Sequence, residues 1–218
     1  NWYDVGNITS FVKAKEALHN PELLVLPKSD QTIYMFDDKV IKFFNNPQAV
    51  EDKVRRSLTL YPAVPAVQGS TEHFFIYNKA EGTLFNNATS RTFLDFLYWA
   101  EKILWEPEDF DIYNLCFEFY HWKTLARLEM FEKQTGVQDT DTIINNTPVP
   151  SISSMMRRIN WEWLCDGIAT KKFHGDLHFS NIIHNNGQFK LIDWREDFAG
   201  SDIGDVYYDF AKLMHGMI

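Results

Sequence analysis

His174-Gly175-Asp176-Leu177-His178-Phe179-Ser180-Asn181, followed downstream by Ile192-Asp193-Trp194, is the stretch that decides how this chain is read. Between the two pieces lie Ile182-Ile183-His184, then Asn185-Asn186-Gly187, then Phe189-Lys190-Leu191-Ile192. Two short apolar runs divided by Asn-Gly predict a β-hairpin, because both central residues of such a turn need positive φ. Folding the hairpin back carries Asp193 toward the loop that holds Asp176 and Asn181. Three oxygen-bearing side chains, two from the loop and one from the end of the hairpin, then edge one place.

Working outward, Leu23-Leu24-Val25-Leu26, Thr32 to Phe36 and Lys39-Val40-Ile41-Lys42-Phe43-Phe44 read as three strands with turns at Pro27 to Asp30 and at Asp37-Asp38. Gln48 to Leu60 reads as a helix, Val64 to Gln68 as an extended segment and Phe74 to Tyr77 as a fourth strand closed by Glu81-Gly82. Phe11 to His19 is expected as a short helix ahead of them. The remainder is mostly helical: Thr92 to Leu104, Asp111 to Gln134 and Ser153 to Ile168, with Asn145 to Pro150 as a turn. In the long middle helix the apolar stripe is Ile112, Leu115, Phe119, Trp122, Ala126 and Met130, closed by Gly136. The expected organisation is a lead-in over residues 1–22, a β-rich lobe over 23–82 and a helical lobe over 83–218. The fold class is α+β, a small sheet lobe followed by a mostly helical one.

Composition narrows the function. Aromatic residues make up 16% of the chain, which argues for a packed interior and against disorder. The net charge of −9 is wrong for a nucleic-acid binder, which needs a basic footprint, and its overall field suits a neutral or cationic small molecule. No apolar run reaches the ~20 residues that cross a bilayer, and no signal peptide is visible. Cys116 and Cys165 sit in apolar helical stretches without CxxC or Cys/His metal spacing, so buried thiols and a reducing, cytoplasmic setting are expected.

Asn and Asp are hard oxygen donors that suit Mg²⁺ rather than zinc. One carboxylate to orient a hydroxyl, with oxygen ligands for Mg²⁺ on a triphosphate, is the inventory of phosphoryl transfer. His174-Gly175-Asp176-Leu177-His178-x-x-Asn181 with Ile192-Asp193-Trp194 resembles the catalytic and metal loops of aminoglycoside phosphotransferases and choline kinases, relatives of the protein kinases. The resemblance implies a two-lobed, protein-kinase-like fold with ATP between the lobes. It makes Asp176 the catalytic base, Asn181 and Asp193 the Mg²⁺ ligands, and His178 an organiser of the loop. Lys42, in Val40-Ile41-Lys42, becomes the lysine of the α- and β-phosphates, with Glu51 as its ion-pair partner and Asp52 in reserve. Ser29 falls in the phosphate-side loop, and Tyr77, Asn78 and Lys79 form the hinge that meets adenine. Val64-Pro65-Ala66-Val67 and Gly204-Asp205-Val206-Tyr207-Tyr208-Asp209-Phe210-Ala211 match further family segments, in which Asp205 and Asp209 brace the catalytic loop.

The chain departs from the kinase pattern at two places. The loop Pro27 to Thr32 has no glycine, and Asp193-Trp194-Arg195 stands where protein kinases carry D-F-G. The implied activity is ATP- and Mg²⁺-dependent phosphorylation of a hydroxyl on a small molecule: a sugar, a choline-like alcohol or an aminoglycoside-like compound. The alternatives are an inactive nucleotide-binding protein of the same fold and a protein kinase, the latter disfavoured by Leu177-His178 and the lack of an APE-like segment. Trp99, Trp105 and Trp122 are expected in the core, while Trp161 and Trp163 are candidates for an acceptor wall. Asn1-Trp2-Tyr3-Asp4-Val5-Gly6 resembles a junction in bacterial surface-polysaccharide proteins, which implies an adjoining nucleotidyltransferase domain in a longer parent chain.

Overall fold

The computed structural model describes residues 24–28 and 30–217. The expected lead-in over 1–22 and Ser29 lie outside the described residues. The chain divides into two compact units, one of residues up to Leu58 together with Pro65–Glu81, the other of Thr59–Val64 with Gly82 onward.

The first unit is an antiparallel sheet. Its strands are β1 (Leu24–Pro27), β2 (Gln31–Met35), β3 (Lys39–Phe44), β4 (Val67–Ser70) and β5 (Phe74–Asn78), in the order β1-β2-β3-β5-β4. The central strand β3 alternates as a half-covered strand should: Val40, Lys42 and Phe44 are buried, Lys39 is exposed, and Ile41 and Phe43 lie between. Phe75 stacks on both Phe44 and Tyr77 at centroid distances of 5.8 and 6.1 Å, so one face of β3 and β5 is an aromatic layer. Helix α1 (Pro47–Leu60) follows β3 and turns Val50 and Arg56 inward.

The second unit has helices α2 (Ser90–Ile103), α3 (Tyr113–Phe117), α4 (Lys123–Thr135), α5 (Ile152–Met156), α6 (Trp161–Leu164) and α7 (Val206–His215). A capping box between Thr89 and Thr92 starts α2. Its short strands are β6 (Thr83–Leu84), β7 (Thr142–Ile144), β8 (Thr147–Val149), β9 (Ala169–Thr170), β10 (Ile182–Asn185), β11 (Gln188–Leu191) and β12 (Gly204–Asp205). The anticipated hairpin is β10–β11, with Asn185 paired to Gln188 and the turn at Asn186 (φ 48°) and Gly187 (φ 80°). β6 joins its other edge. Phe85, Phe96 and Phe189 pack ring to ring beneath it, 5.3–5.6 Å apart. A second core gathers Ile112, Cys116, Phe119, Cys165, Ala169, Phe173 and Phe198. Both thiols are buried and unbridged. No helix among the described residues is long and apolar enough to cross a membrane.

Three helical expectations are corrected. The long middle helix is interrupted by a π-turn over Glu118–Trp122. The extra residue per turn rotates everything beyond it off the original face, so Ile112 and Phe119 are buried while Trp122 and Met130 are 52% and 53% exposed. The expected helix from Ser153 to Ile168 is two short ones, α5 and α6, because Asn160 takes an extended backbone and accepts a hydrogen bond from Trp163 N. The segment 145–150 is a hairpin, not a plain turn: Asn145 and Asn146 at φ 51° and 61° let β7 pair with β8.

Candidate active site

The loop between β9 and β10 is held from below by one buried carboxylate. Asp209, on α7, accepts from His174 N and Gly175 N, both at 2.7 Å, and from Trp105 Nε1 at 3.0 Å. Gly175 has φ +82°, and a Cβ there would stand 2.5 Å from Arg195 Cβ, so only glycine lets the two segments approach. His174 is fully buried. Its Nδ1 accepts from Asp176 N at 3.2 Å, which leaves Nε2–H to donate to Ile192 O at 3.0 Å. Arg195 N donates to His174 O at 2.9 Å. The histidine thus ties the loop to the end of the hairpin.

On this frame Asp176, His178 and Asn181 come together. Asn181 Nδ2 donates to Asp176 O at 2.8 Å and to Asp176 Oδ2 at 3.2 Å. That orientation turns Asn181 Oδ1 away from Asp176. His178 Nε2 lies 3.3 Å from Asp176 Oδ1. Ile192 N donates to Asn181 O at 2.9 Å, so the segments carrying Asn181 and Asp193 are hydrogen-bonded neighbours. Asp193 is half-buried in the left-handed region, φ 59°, a conformation Asp tolerates better than most residues and one that clusters at functional sites. An amide oxygen and a carboxylate brought to adjoining segments are hard donors of the kind Mg²⁺ takes, and Mg²⁺ fills its remaining positions with water and phosphate oxygens. Among the described residues no group of three or more His, Cys, Asp or Glu side chains is arranged to hold a metal.

Sequence reasoning missed Lys212. It stands on α7 three residues after Asp209, on the same helix face, and its Nζ is 2.9 Å from Asp176 Oδ1. That spacing was the available signal. Burial of Asp176 opposes ionisation, but the hydrogen bond and charge of Lys212, with His178 and His174, outweigh it and hold the carboxyl below the usual range. Asp205 differs from expectation. It accepts from Tyr120 Oη, Ile168 N and Tyr207 N, bracing the segment before β9 and capping α7 rather than touching the loop itself. Trp105 reaches Asp209, and Trp122 is not in the core.

In the first unit Lys42 is buried on β3, cross-strand from Phe75 on the face that carries the aromatic layer and 5.9 Å from the Tyr77 ring centroid. Burial, then Lys53 and Lys28, push its pKa well below the ordinary lysine value. Glu51 is exposed on α1, and its carboxylate takes a 3.4 Å hydrogen bond from Gln48; Asp52 pairs with Arg55 at 2.8 Å. Tyr77 is buried while Asn78 and Lys79 are exposed. Lys79 N already donates to Asp38 O at 2.9 Å, because the Asp37-Asp38 turn closes against the end of β5. That N–H is therefore not on offer to a ligand.

No protein-family model and no curated protein matches the chain. Solved structures do. An ADP-bound aminoglycoside phosphotransferase, APH(2'')-Ib, aligns over 94% of this chain and 74% of its own at 17% identity and a TM-score of 0.50. A choline/ethanolamine kinase family protein from Mesorhizobium loti aligns over 96% and 71% at 13% identity, and an ethanolamine kinase from Plasmodium vivax over 97% and 68% at 14% identity, each with a TM-score of 0.50. The chain has a protein-kinase-like fold. It is the version of that fold seen in aminoglycoside phosphotransferases and choline/ethanolamine kinases, and at these identities the likeness is one of fold.

Proposed function

We propose that the chain is an ATP- and Mg²⁺-dependent phosphotransferase acting on a hydroxyl of a small molecule. The observation that carries the reading is the Asp176 carboxylate, oriented by Asn181 and Lys212 on a loop that Asp209 fixes through two backbone N–H groups. A carboxylate held ionised and aimed is what an acceptor hydroxyl needs. Asp176 would orient that hydroxyl and take its proton as the oxygen bonds to the γ-phosphorus and ADP departs. A lowered pKa makes Asp176 a weak base, which suits a loose transition state in which the proton moves late. Asn181 Oδ1 and Asp193 would hold Mg²⁺, which supplies charge neutralisation on the triphosphate. In the first unit Lys42 would serve the nucleotide phosphates, whose charge would restore its protonation. Glu51, Tyr77, Asn78 and Lys79 stay candidates for nucleotide contacts, and Ser29 a candidate by resemblance alone.

The test is release of ADP from ATP and Mg²⁺ against a panel of sugars, sugar acids, choline-like alcohols and aminoglycosides. Turnover with one acceptor, lost by orders of magnitude in Asp176→Asn while calorimetric ATP binding persists, is the expected result. ATP binding without turnover for any acceptor would favour the inactive nucleotide-binding alternative.

A further inference from the structure

The second unit contains a cavity of about 730 Å³ walled by Phe119, Tyr120, Trp161 and Tyr208, with Lys123 and Arg127 on one side. That is a volume for a small ligand, and aromatic walls offer flat faces to a ring. The π-turn creates it: Phe119 and Tyr120 lie within Glu118–Trp122 and Lys123 is the next residue.

The cations are unusual for so acidic a chain. Lys123 Nζ sits 4.2 Å from the Phe119 ring centroid and the Arg195 guanidinium 4.9 Å from the same centroid. Among the described residues neither these two nor Arg127 has a carboxylate within ion-pair distance. Arg195 Nε is buried without a hydrogen-bond partner. The three charges work against one another: burial first, then Arg195 and Arg127, bring Lys123 to about 8, with Asp197 and Glu196 offsetting part. Two carboxylates also line the cavity. Asp205 is committed to Tyr120 Oη, Ile168 N and Tyr207 N, and Asp166 is exposed. The formal charges of the lining balance, but they are not evenly placed: Lys123 and Arg127 stand one helical turn apart on the same face of α4 and make one side of the pocket cationic.

One wall of the cavity neighbours the loop through two side chains of α7. Tyr208 forms part of its wall, Lys212 Nζ lies 5.6 Å from the Tyr208 ring centroid, and the same Nζ is 2.9 Å from Asp176 Oδ1. We infer that this pocket receives the phosphate acceptor, and that the acceptor carries an anionic group, carboxylate or phosphate, which Lys123 and Arg127 bind while its ring lies against the aromatic wall. This rests on the phosphotransferase reading, and it sets the acceptor apart from a quaternary ammonium alcohol or a polyamine sugar, which carries no group for the Lys123 and Arg127 side of the pocket to bind.

Calorimetry on the full chain with D-glucuronate, D-glucose 6-phosphate, D-glucose and choline tests it, alongside Arg127→Gln and Lys123→Met. The expected result is binding of an anionic probe, weakened about tenfold or more in each variant, with glucose and choline weaker by a similar factor. Glucuronate against the sugar phosphate decides which anion is meant. Choline or glucose binding as well as the anions, no binding of either anion, or binding indifferent to both variants overturns the inference. Arg127 is exposed, so its variant keeps the test valid if Lys123→Met folds poorly. Anion binding at the pocket without ADP release supports the cationic side of the pocket and removes the transferase reading. ADP release with choline or glucose and not with the anions does the reverse.

Discussion

Lys212 Nζ and Asp176 Oδ1 are 2.9 Å apart, and the lysine comes from the helix that also supplies Asp209 beneath the loop. One helix therefore sets both the backbone of the loop from His174 to Asn181 and the charge state of its carboxylate. Burial alone would raise Asp176; Lys212 reverses that. A carboxyl with a lowered pKa contributes stability above the ordinary carboxylate range, lost as pH falls through its folded value. Lys212→Met is expected to let burial prevail, moving the acid limb of kcat/KM for ADP release to higher pH and lowering stability at neutral pH. An unmoved acid limb would separate Lys212 from the titration of Asp176.

Asp209 is fully buried with three N–H donors on its two oxygens. In Asp209→Asn one oxygen is replaced by an NH₂ that faces a donor. The expected loss is about 2–4 kcal/mol of folding stability, read from urea unfolding, with activity falling further because the loop loses its anchor. Trp105 fluorescence should change in the folded variant, since its indole N–H bonds the same carboxylate. A variant as stable as the parent would show that the loop is held by other means.

Gly175→Ala meets two obstacles at once. Its φ of +82° is unfavourable for alanine, and the new methyl would sit 2.5 Å from Arg195 Cβ, which belongs to the segment just after Asp193. Strain of about 1–3 kcal/mol is expected, together with displacement of Asp193 from Asn181 and a rise in the Mg²⁺ concentration needed for half-maximal activity. Unchanged Mg²⁺ dependence in a folded variant would argue that the two segments are not coupled through this contact.

The hairpin, β3 and the loop motif were legible because short-range chemistry fixes them: Asn186-Gly187 supplies two positive φ values and Lys39 to Phe44 alternates in polarity. What was hidden depends on placement across the fold. The π-turn at Glu118–Trp122 leaves no local signature, yet it decides that Trp122 is exposed and that Phe119, Tyr120 and Lys123 surround a cavity. For Lys212 the spacing from Asp209 marks the helix face it shares, but only the folded chain brings Asp176 to it as a partner. The net charge of −9 is a total over the whole chain and does not register where individual cations such as Lys123 and Arg127 stand.

That placement makes a prediction about stability alone. Lys123 stays protonated in the unfolded chain up to its ordinary value of 10.5 and in the folded chain only to about 8. Between those values the unfolded state holds more protons, so stability rises with pH; below about 8 the folded state bears the full penalty of a half-buried lysine beside two arginines. Lys123→Met keeps the alkyl packing on Phe119 and removes the charge. Discounted for solvent screening, the relief is about 1 kcal/mol, and Tm at pH 7 is expected to rise by roughly 2–4 °C. The gain should shrink above pH 8 and vanish near pH 10.5. Thermal unfolding of both proteins from pH 6 to 10.5 checks this. A variant that is less stable at pH 7, or whose gain does not change with pH, would mean that Lys123 is not held under repulsion, and the cationic character assigned to one side of the pocket would lose its energetic support.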